Sequence, residues 1–225
     1  DAAGIATITD SNLHLHKANG LIKDVFQSEH MAHLRGRIGI GHCRYPTAGS
    51  EGAEEAQPFY VNSPFSMALA HNGNLVNADA LRRELFEKDH RYIHTASDSE
   101  VLLNVFAQEL HESSNMQARA DDVFRAVAAV HQRCLGGYAV VSMVLGLGIV
   151  AFRDVHGIRP LVFGKRATAD RLEWAVASES VALDALGFRL ERDLRPGEAL
   201  IITTDGRLLT RQCTESRQHA PCMFE

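Results

Sequence analysis

The chain has 225 residues, 45% of them apolar and 23% charged, with a net charge of −5. These proportions exclude a disordered or low-complexity polymer and predict a packed fold with a sizeable core; the length is compatible with one large α/β domain or two small ones, of which one is favoured. Lys and Arg are scattered and advertise no basic face for nucleic acid or an anionic membrane surface, so small molecules are the expected partners.

The first residues, Asp1-Ala2-Ala3-Gly4-Ile5, run straight into alternating apolar sequence with no initiator Met, which reads as a start inside a folded element. Ile5 to Ile8 and Leu13 to Lys17 alternate polar and apolar residues around Thr9-Asp10-Ser11-Asn12, the pattern of a hairpin. Ile22, Val25, Phe26 and Leu34 predict one amphipathic helix, and Arg37 to Cys43 and Met67 to Ala70 predict buried strands. Leu81, Leu85 and Phe86 share a helical face. Val101, Leu102, Val105, Phe106 and Leu110 mark a second helix that opens at Ser97-Asp98-Ser99-Glu100, a capping-box pattern. Val123, Val127 and Val130 predict a third. A β-rich half follows at Ala139 to Leu145, Ile149 to Phe152, Trp174 to Ala177, Ala199 to Thr203 and Arg207 to Thr210, with Asp205-Gly206 as a hairpin turn. The apolar run from Tyr138 to Val150 is broken by Ser142, Gly146 and Gly148 and falls short of the roughly 20 residues a spanning helix needs.

Polar residues at strand ends are held by a rigid sheet yet remain open to a ligand. Three such clusters occur. In His42-Cys43-Arg44-Tyr45-Pro46-Thr47, Arg44 offers a planar fork for a carboxylate and Thr47 a hydroxyl. For a lone Arg, pairing with a surface acid is the favoured reading. In Ala70-His71-Asn72-Gly73-Asn74, an amide beside a glycine N–H can place two neutral donors on a developing oxyanion, or form a plain Asn-Gly turn. In Ser97-Asp98-Ser99-Glu100, Asp98 can accept from a substrate ammonium, or serve only as a helix cap. The sequence has no G-x-S-x-G, no P-loop, no G-x-G-x-x-G and no H-E-x-x-H, which disfavours hydride and P-loop phosphoryl chemistry. Among the 12 histidines, His14 and His16 share a strand face and His90 and His94 share a helix face only if residues 91–93 are helical, so no metal site is expected. Cys43, Cys134, Cys213 and Cys222 form no CxxC pair and follow no secretory leader, which makes a reducing cytoplasm the expected location.

Taken together and in order, these clusters resemble the N-terminal-nucleophile glutamine amidotransferases, in particular the glutamine phosphoribosylpyrophosphate amidotransferase family. The residues that carry the resemblance are Asp1–Ile5, Gly41–Gly49, Ala56-Gln57-Pro58-Phe59, Ala70–Leu75, Ser97–Glu100, Phe152-Arg153-Asp154, Gly157-Ile158-Arg159-Pro160-Leu161 and Ala177-Ser178-Glu179-Ser180, essentially the whole chain. Arg-x-x-Thr, His-Asn-Gly and Ser-Asp patterns specify the superfamily; Arg-Tyr-Pro-Thr-Ala-Gly, Gln-Pro-Phe and Gly-Ile-Arg-Pro-Leu specify the narrower family.

The resemblance implies an α+β fold, a four-layer αββα sandwich of the N-terminal-nucleophile hydrolase type with its first strand missing. It implies hydrolysis of glutamine by an N-terminal cysteine whose α-amino group is the base, with Asn72 and Gly73 as the oxyanion hole and Arg44, Thr47 and Asp98, beside Gly73, binding the substrate. Ammonia would pass to a phosphoribosyltransferase domain, absent here together with its Mg²⁺, to form phosphoribosylamine at the opening of purine synthesis. No cofactor is implied for residues 1–225 themselves. The family's Cys-Gly-Ile-Val-Gly strand would precede Asp1 by roughly thirty residues, about one short strand and a helix, so the chain by itself is expected to lack the nucleophile and to be inactive. A cysteine near Cys222 ligates an iron–sulphur cluster in some relatives; its partner ligands would lie past Glu225, and no cluster is expected. Homo-oligomers regulated by purine nucleotides are implied for the parent proteins. Alternatives are an amidotransferase feeding a sugar phosphate or aspartate, a non-catalytic module that binds glutamine through Arg44 and Asp98, and a fragment with no autonomous role.

Overall fold

The computed structural model describes residues 1–45, 52–114 and 117–223. The expected hairpin forms as β1 (Ala2–Ile8) and β2 (Leu13–Asn19), closed by Thr9 N–H donating to the Asn12 carbonyl. The single helix expected next is instead two short ones, α1 (Ile22–Val25) and α2 (Ser28–His33). The chain is extended at Gln27, whose side chain caps α2 while His30 Nδ1 accepts from Gln27 N. That exchange of hydrogen bonds ends one helix and starts the other, and only Val25 of the pair is buried. β3 (Ile38–Arg44) then pairs antiparallel with β1, giving a three-stranded sheet β2-β1-β3.

A 3-10 turn at Ala53–Glu55 leads to β4 (Phe59–Val61) and β5 (Met67–Leu75). Three helices follow, α3 (Ala78–Glu87), α4 (Asp98–Ser113) and α5 (Ala120–Arg133), and then β6 (Gly136–Val144) and β7 (Gly148–Arg153). β8 (Val162–Ala167), β9 (Leu172–Ala177) and β10 (Arg189–Asp193) make a second three-stranded sheet, β10-β8-β9, with α6 (Ser180–Ala185) against its strands. β11 (Glu198–Thr203) and β12 (Leu208–Gln212) turn at Asp205-Gly206, where Gly206 takes φ +84° and donates to Thr203 O, and they complete a six-stranded sheet β12-β11-β7-β6-β5-β4.

The six-stranded sheet is the centre of the molecule. On one face, Met67, Leu69, Val140, Val150 and Phe152 pack with Leu102, Phe106, Leu110, Val123 and Val127 of α4 and α5. On the other face, Ala68 and Met143 meet Ala6, Ile8 and Ile40 of the first sheet, while Ala139, Ala151 and Leu200 meet Phe163 and Trp174 of the second and Leu161 just before it. The order of layers is helix, sheet, sheet, helix, with α1 and α6 outside the two small sheets. This is the expected αββα sandwich, its second β layer being two separate three-stranded sheets.

Candidate functional site

β5 carries the first part of the site. Its apolar start, Met67–Ala70, was legible as strand, but the strand does not stop there. His71, Asn72, Gly73 and Asn74 continue it, paired with Val140, Ala139, Tyr138 and Gly137 of β6. The Asn-Gly pair is therefore not a turn. Gly73 sits at φ +137°, and a Cβ there would lie 2.0 Å from the Gly137 carbonyl oxygen, so both conformation and space require glycine.

Strand alternation sends the two polar residues before Gly73 to opposite layers. Asn72 turns toward β3, where its Oδ1 lies 3.0 Å from His42 Nε2. A carboxamide oxygen only accepts, so His42 Nε2 carries the proton. Among the described residues Asn72 Nδ2 has no hydrogen-bond partner, and the amide presents its donor side. His71 turns toward α4. Its Nδ1 is 2.8 Å from Ser99 Oγ, and its buried Nε2 has no hydrogen bond, with Asp98 Oδ2 at 3.9 Å.

Asp98 is held as well. Ser97 caps α4 by accepting from Ser99 N, and Asp98 Oδ2 accepts from Leu75 N at 2.8 Å, which ties the helix start to the end of β5. The capping box read from Ser97 and Glu100 forms only in this half. Glu100 instead accepts from His94 N, Thr95 N and Thr95 Oγ1, because the coil before α4 brings those donors to it.

Arg44 closes β3. Ile40, His42 and Arg44 alternate onto the face turned toward β5, and Cys43 is exposed on the other. The acid paired with Arg44 is not on the surface: it is Glu55, buried, with Oε2 2.6 Å from Arg44 Nη2. Thr47 lies outside the described residues. The pairs His42–Asn72, His71–Ser99 and Asp98–Leu75 thus link β3, β5 and α4. Sequence reasoning assigned no role to His42, Ser99, Glu55 or Gln57; the available signals were the spacing of two between His42 and Arg44 on a strand and the place of Gln57 in the Gln-Pro-Phe motif.

Burial biases both imidazoles toward the neutral form. Burial lowers the His71 pKa well below the ordinary histidine range, Asp98 opposes that, and His42 and Arg159 add to it. His42 is lowered by burial, against the bond to Asn72 and with the help of Arg44. The thiols of Cys134 and Cys213 are pushed up by burial to about 12 and about 11, so neither is an activated nucleophile. Among the described residues no group of three or more His, Cys, Asp and Glu could hold a metal ion, and residues 91–94 carry no helix to align His90 with His94.

A glutamine amidotransferase domain profile matches residues 42–185, which run from the end of β3 through β5, α4 and β6–β9 to the end of α6. The chain belongs to the glutamine amidotransferase domain family. Two curated relatives of this chain are amidophosphoribosyltransferases. That of Pseudomonas aeruginosa is 59% identical over 225 residues and that of Escherichia coli K12 57% over 227, each match covering all of this chain and 45% of the relative. A solved structure described as the allosteric regulatory enzyme of purine biosynthesis superposes with a TM-score of 0.83 at 33% identity, over 99% of this chain and 45% of the other. The chain therefore spans about 45% of the length of the curated relatives it matches, and its fold is that of the N-terminal-nucleophile hydrolases. Among the described residues no helix is long and apolar enough to cross a membrane.

Proposed function

We propose that residues 1–225 are one domain, the glutaminase part of an amidophosphoribosyltransferase, which hydrolyses the side-chain amide of glutamine to glutamate and ammonia. The observation that carries this is the end of β5: an asparagine whose oxygen is held by His42 and whose NH₂ has no partner among the described residues, followed by a glycine in a conformation that admits close approach, beside Asp98. Asn72 Nδ2 and the Gly73 N–H stabilise the oxyanion that forms when the carboxamide carbon becomes tetrahedral. Asp98 receives the substrate's α-ammonium, and Arg44, already fixed by Glu55, receives its α-carboxylate together with Thr47.

The nucleophile in this reading is an N-terminal cysteine supplied from outside these residues, its α-amine taking the thiol proton and returning it to the departing ammonia. Cys43 faces away from Asn72, and Cys134 and Cys213 are raised thiols, so none of the three fits the role. The ammonia acceptor is phosphoribosyl pyrophosphate, in a phosphoribosyltransferase part of the same polypeptide that would use Mg²⁺; the names of the relatives support this over a sugar phosphate or aspartate. The same reading sets the protein in the cytoplasm as a homo-oligomer.

The test is a glutaminase assay on the chain as given and on the chain extended by a Cys-initiated N-terminal segment. Ammonia release by the extended protein alone, abolished by thiol-blocking reagents, is the expected result. Activity of the chain as given would move the nucleophile to an internal residue. Glutamine binding without activity in either protein would make it a binding module.

A further inference from the structure

The 3-10 turn and the segment joining it to β4 touch no reacting atom in the chemistry above, yet they reach both halves of the site. Glu55 holds Arg44 at the end of β3. Two residues on, the buried Gln57 turns its carboxamide onto β5: Oε1 accepts from His71 N at 2.7 Å, and Nε2 donates to His71 O at 3.2 Å. These are the two bonds that a neighbouring strand would make. β4 pairs with β5 only over Met67–Leu69, so at His71 a side chain stands in for the strand. The Gln57 backbone is meanwhile packed on β1, where a Cβ at Gly4 would lie 2.1 Å from its carbonyl oxygen. Lys17 Nζ, on β2, donates to the carbonyls of Ala56 and Glu54. The segment is thus wedged between the two β layers and anchored on each.

We propose that Glu55 and Gln57 are positioning residues for glutamine hydrolysis, Glu55 setting the Arg44 guanidinium and Gln57 setting the backbone that carries Asn72 and Gly73. Three consecutive residues thereby fix the spacing between the group that grips the unreacting end of the substrate and the donors at its reacting end. The proposal rests on the glutaminase reading. It separates the two residues kinetically, because one acts through a substrate-gripping side chain and the other through the backbone at the oxyanion.

In the full-length, glutaminase-competent polypeptide, Glu55→Gln is expected to raise KM for glutamine about tenfold, the scale of weakening one charge-assisted hydrogen bond, with little change in kcat. Gln57→Glu is expected to lower kcat about tenfold to a hundredfold at neutral pH with KM little changed, as misplacement of a reacting group does. An ionised carboxylate at position 57 sets an acceptor against the His71 carbonyl, whereas the protonated acid restores a donor and an acceptor. The kcat of Gln57→Glu relative to wild type should therefore recover as pH falls. A residue that only supports the fold would show no such recovery.

A readout independent of activity is the hydrogen exchange of the His71 amide, which should quicken about tenfold or more in Gln57→Leu while the amides of α5 and β11 are unmoved. Parallel changes of KM and kcat in both variants, a pH-independent Gln57→Glu defect, or an unchanged His71 exchange rate would overturn the proposal. A wild-type protein with no glutaminase activity would sink the functional reading instead, and the exchange rate would still decide whether Gln57 braces β5.

Discussion

The central sheet is covered differently on its two faces. Toward the helices it turns Met67, Leu69, Val140, Val150, Phe152 and Ile201, large side chains closed to solvent by Leu102, Phe106 and Val127. Toward the second β layer it turns Ala68, Ala139 and Ala151 among fewer large residues, and into that seam it sets Asn72 against His42. Apolar area, and with it most of the free energy of packing, is concentrated on the helix face. The facing sheets contribute less volume and hold the donors of the candidate site. One set of strands therefore carries stability on one side and chemistry on the other, and substitutions on the two sides should separate the two properties.

The largest effect is expected on the helix face. Phe106→Ala should cost about 3–5 kcal/mol in chemical denaturation, as removal of a fully buried aromatic does, while KM for glutamine in the folded protein stays near wild type. A small stability loss would break the contrast at its source.

Next comes an acid-dependent effect on the same face. His131 Nδ1 is bonded to the Tyr138 hydroxyl, and burial pushes its pKa down to about 4. The folded state takes the neutral ring, so the contribution of His131 is fully present above the unfolded pKa near 6.5. It is lost as pH falls from about 6.5 to about 4, at most about 3 kcal/mol in all. His131→Gln should flatten the stability profile in that window; an unaltered slope in urea titrations between neutral pH and the lower end of the window would assign it to other groups.

On the opposite face, Asn72→Ala should lower kcat about a hundredfold, the scale of one lost oxyanion donor, at nearly unchanged stability. Should the midpoint fall with the activity, Asn72 would belong to the packing and the two faces would not be distinct. The smallest effect is expected at the start of α4, where the helix meets the end of β5, for Asp98→Asn, which keeps an acceptor for Leu75 N but removes the charge. A rise of about tenfold in KM with kcat little altered is anticipated, and a normal KM would remove Asp98 from substrate binding.

How far these features were readable from the sequence depends on whether a residue's surroundings are local. The helices of Leu102 and Val127 and the strands at Met67–Ala70 and Ala199–Thr203 follow from periodicity, because burial on one face is written into the spacing. β8 and β10 do not: Val162–Ala167 contains Gly164, Lys165 and Arg166, and Arg189–Asp193 is largely exposed and charged, so neither shows a clean alternation. The extension of β5 through Asn72 and Gly73 was hidden for a different reason. Locally Asn-Gly favours a turn, and only the pairing with Tyr138 and Ala139, far along the chain, makes it strand. Arg44, Asn72 and Asp98 came forward as candidates through their residue types and the family resemblance. Glu55 did not, and Gln57 entered only within the Gln-Pro-Phe motif and without a role, since nothing in an acid or an amide announces that it will be buried against a partner.

The alternation of β5 also sets a parity. His71 is wired to the helices and Asn72 to the neighbouring sheet, so adding or deleting a single residue between Met67 and His71 would exchange their destinations. An imidazole would then enter the seam and the carboxamide would be lost under α4, with amino-acid composition almost untouched. A two-residue change would preserve the assignment. For this strand, the even or odd count of residues is itself a functional quantity.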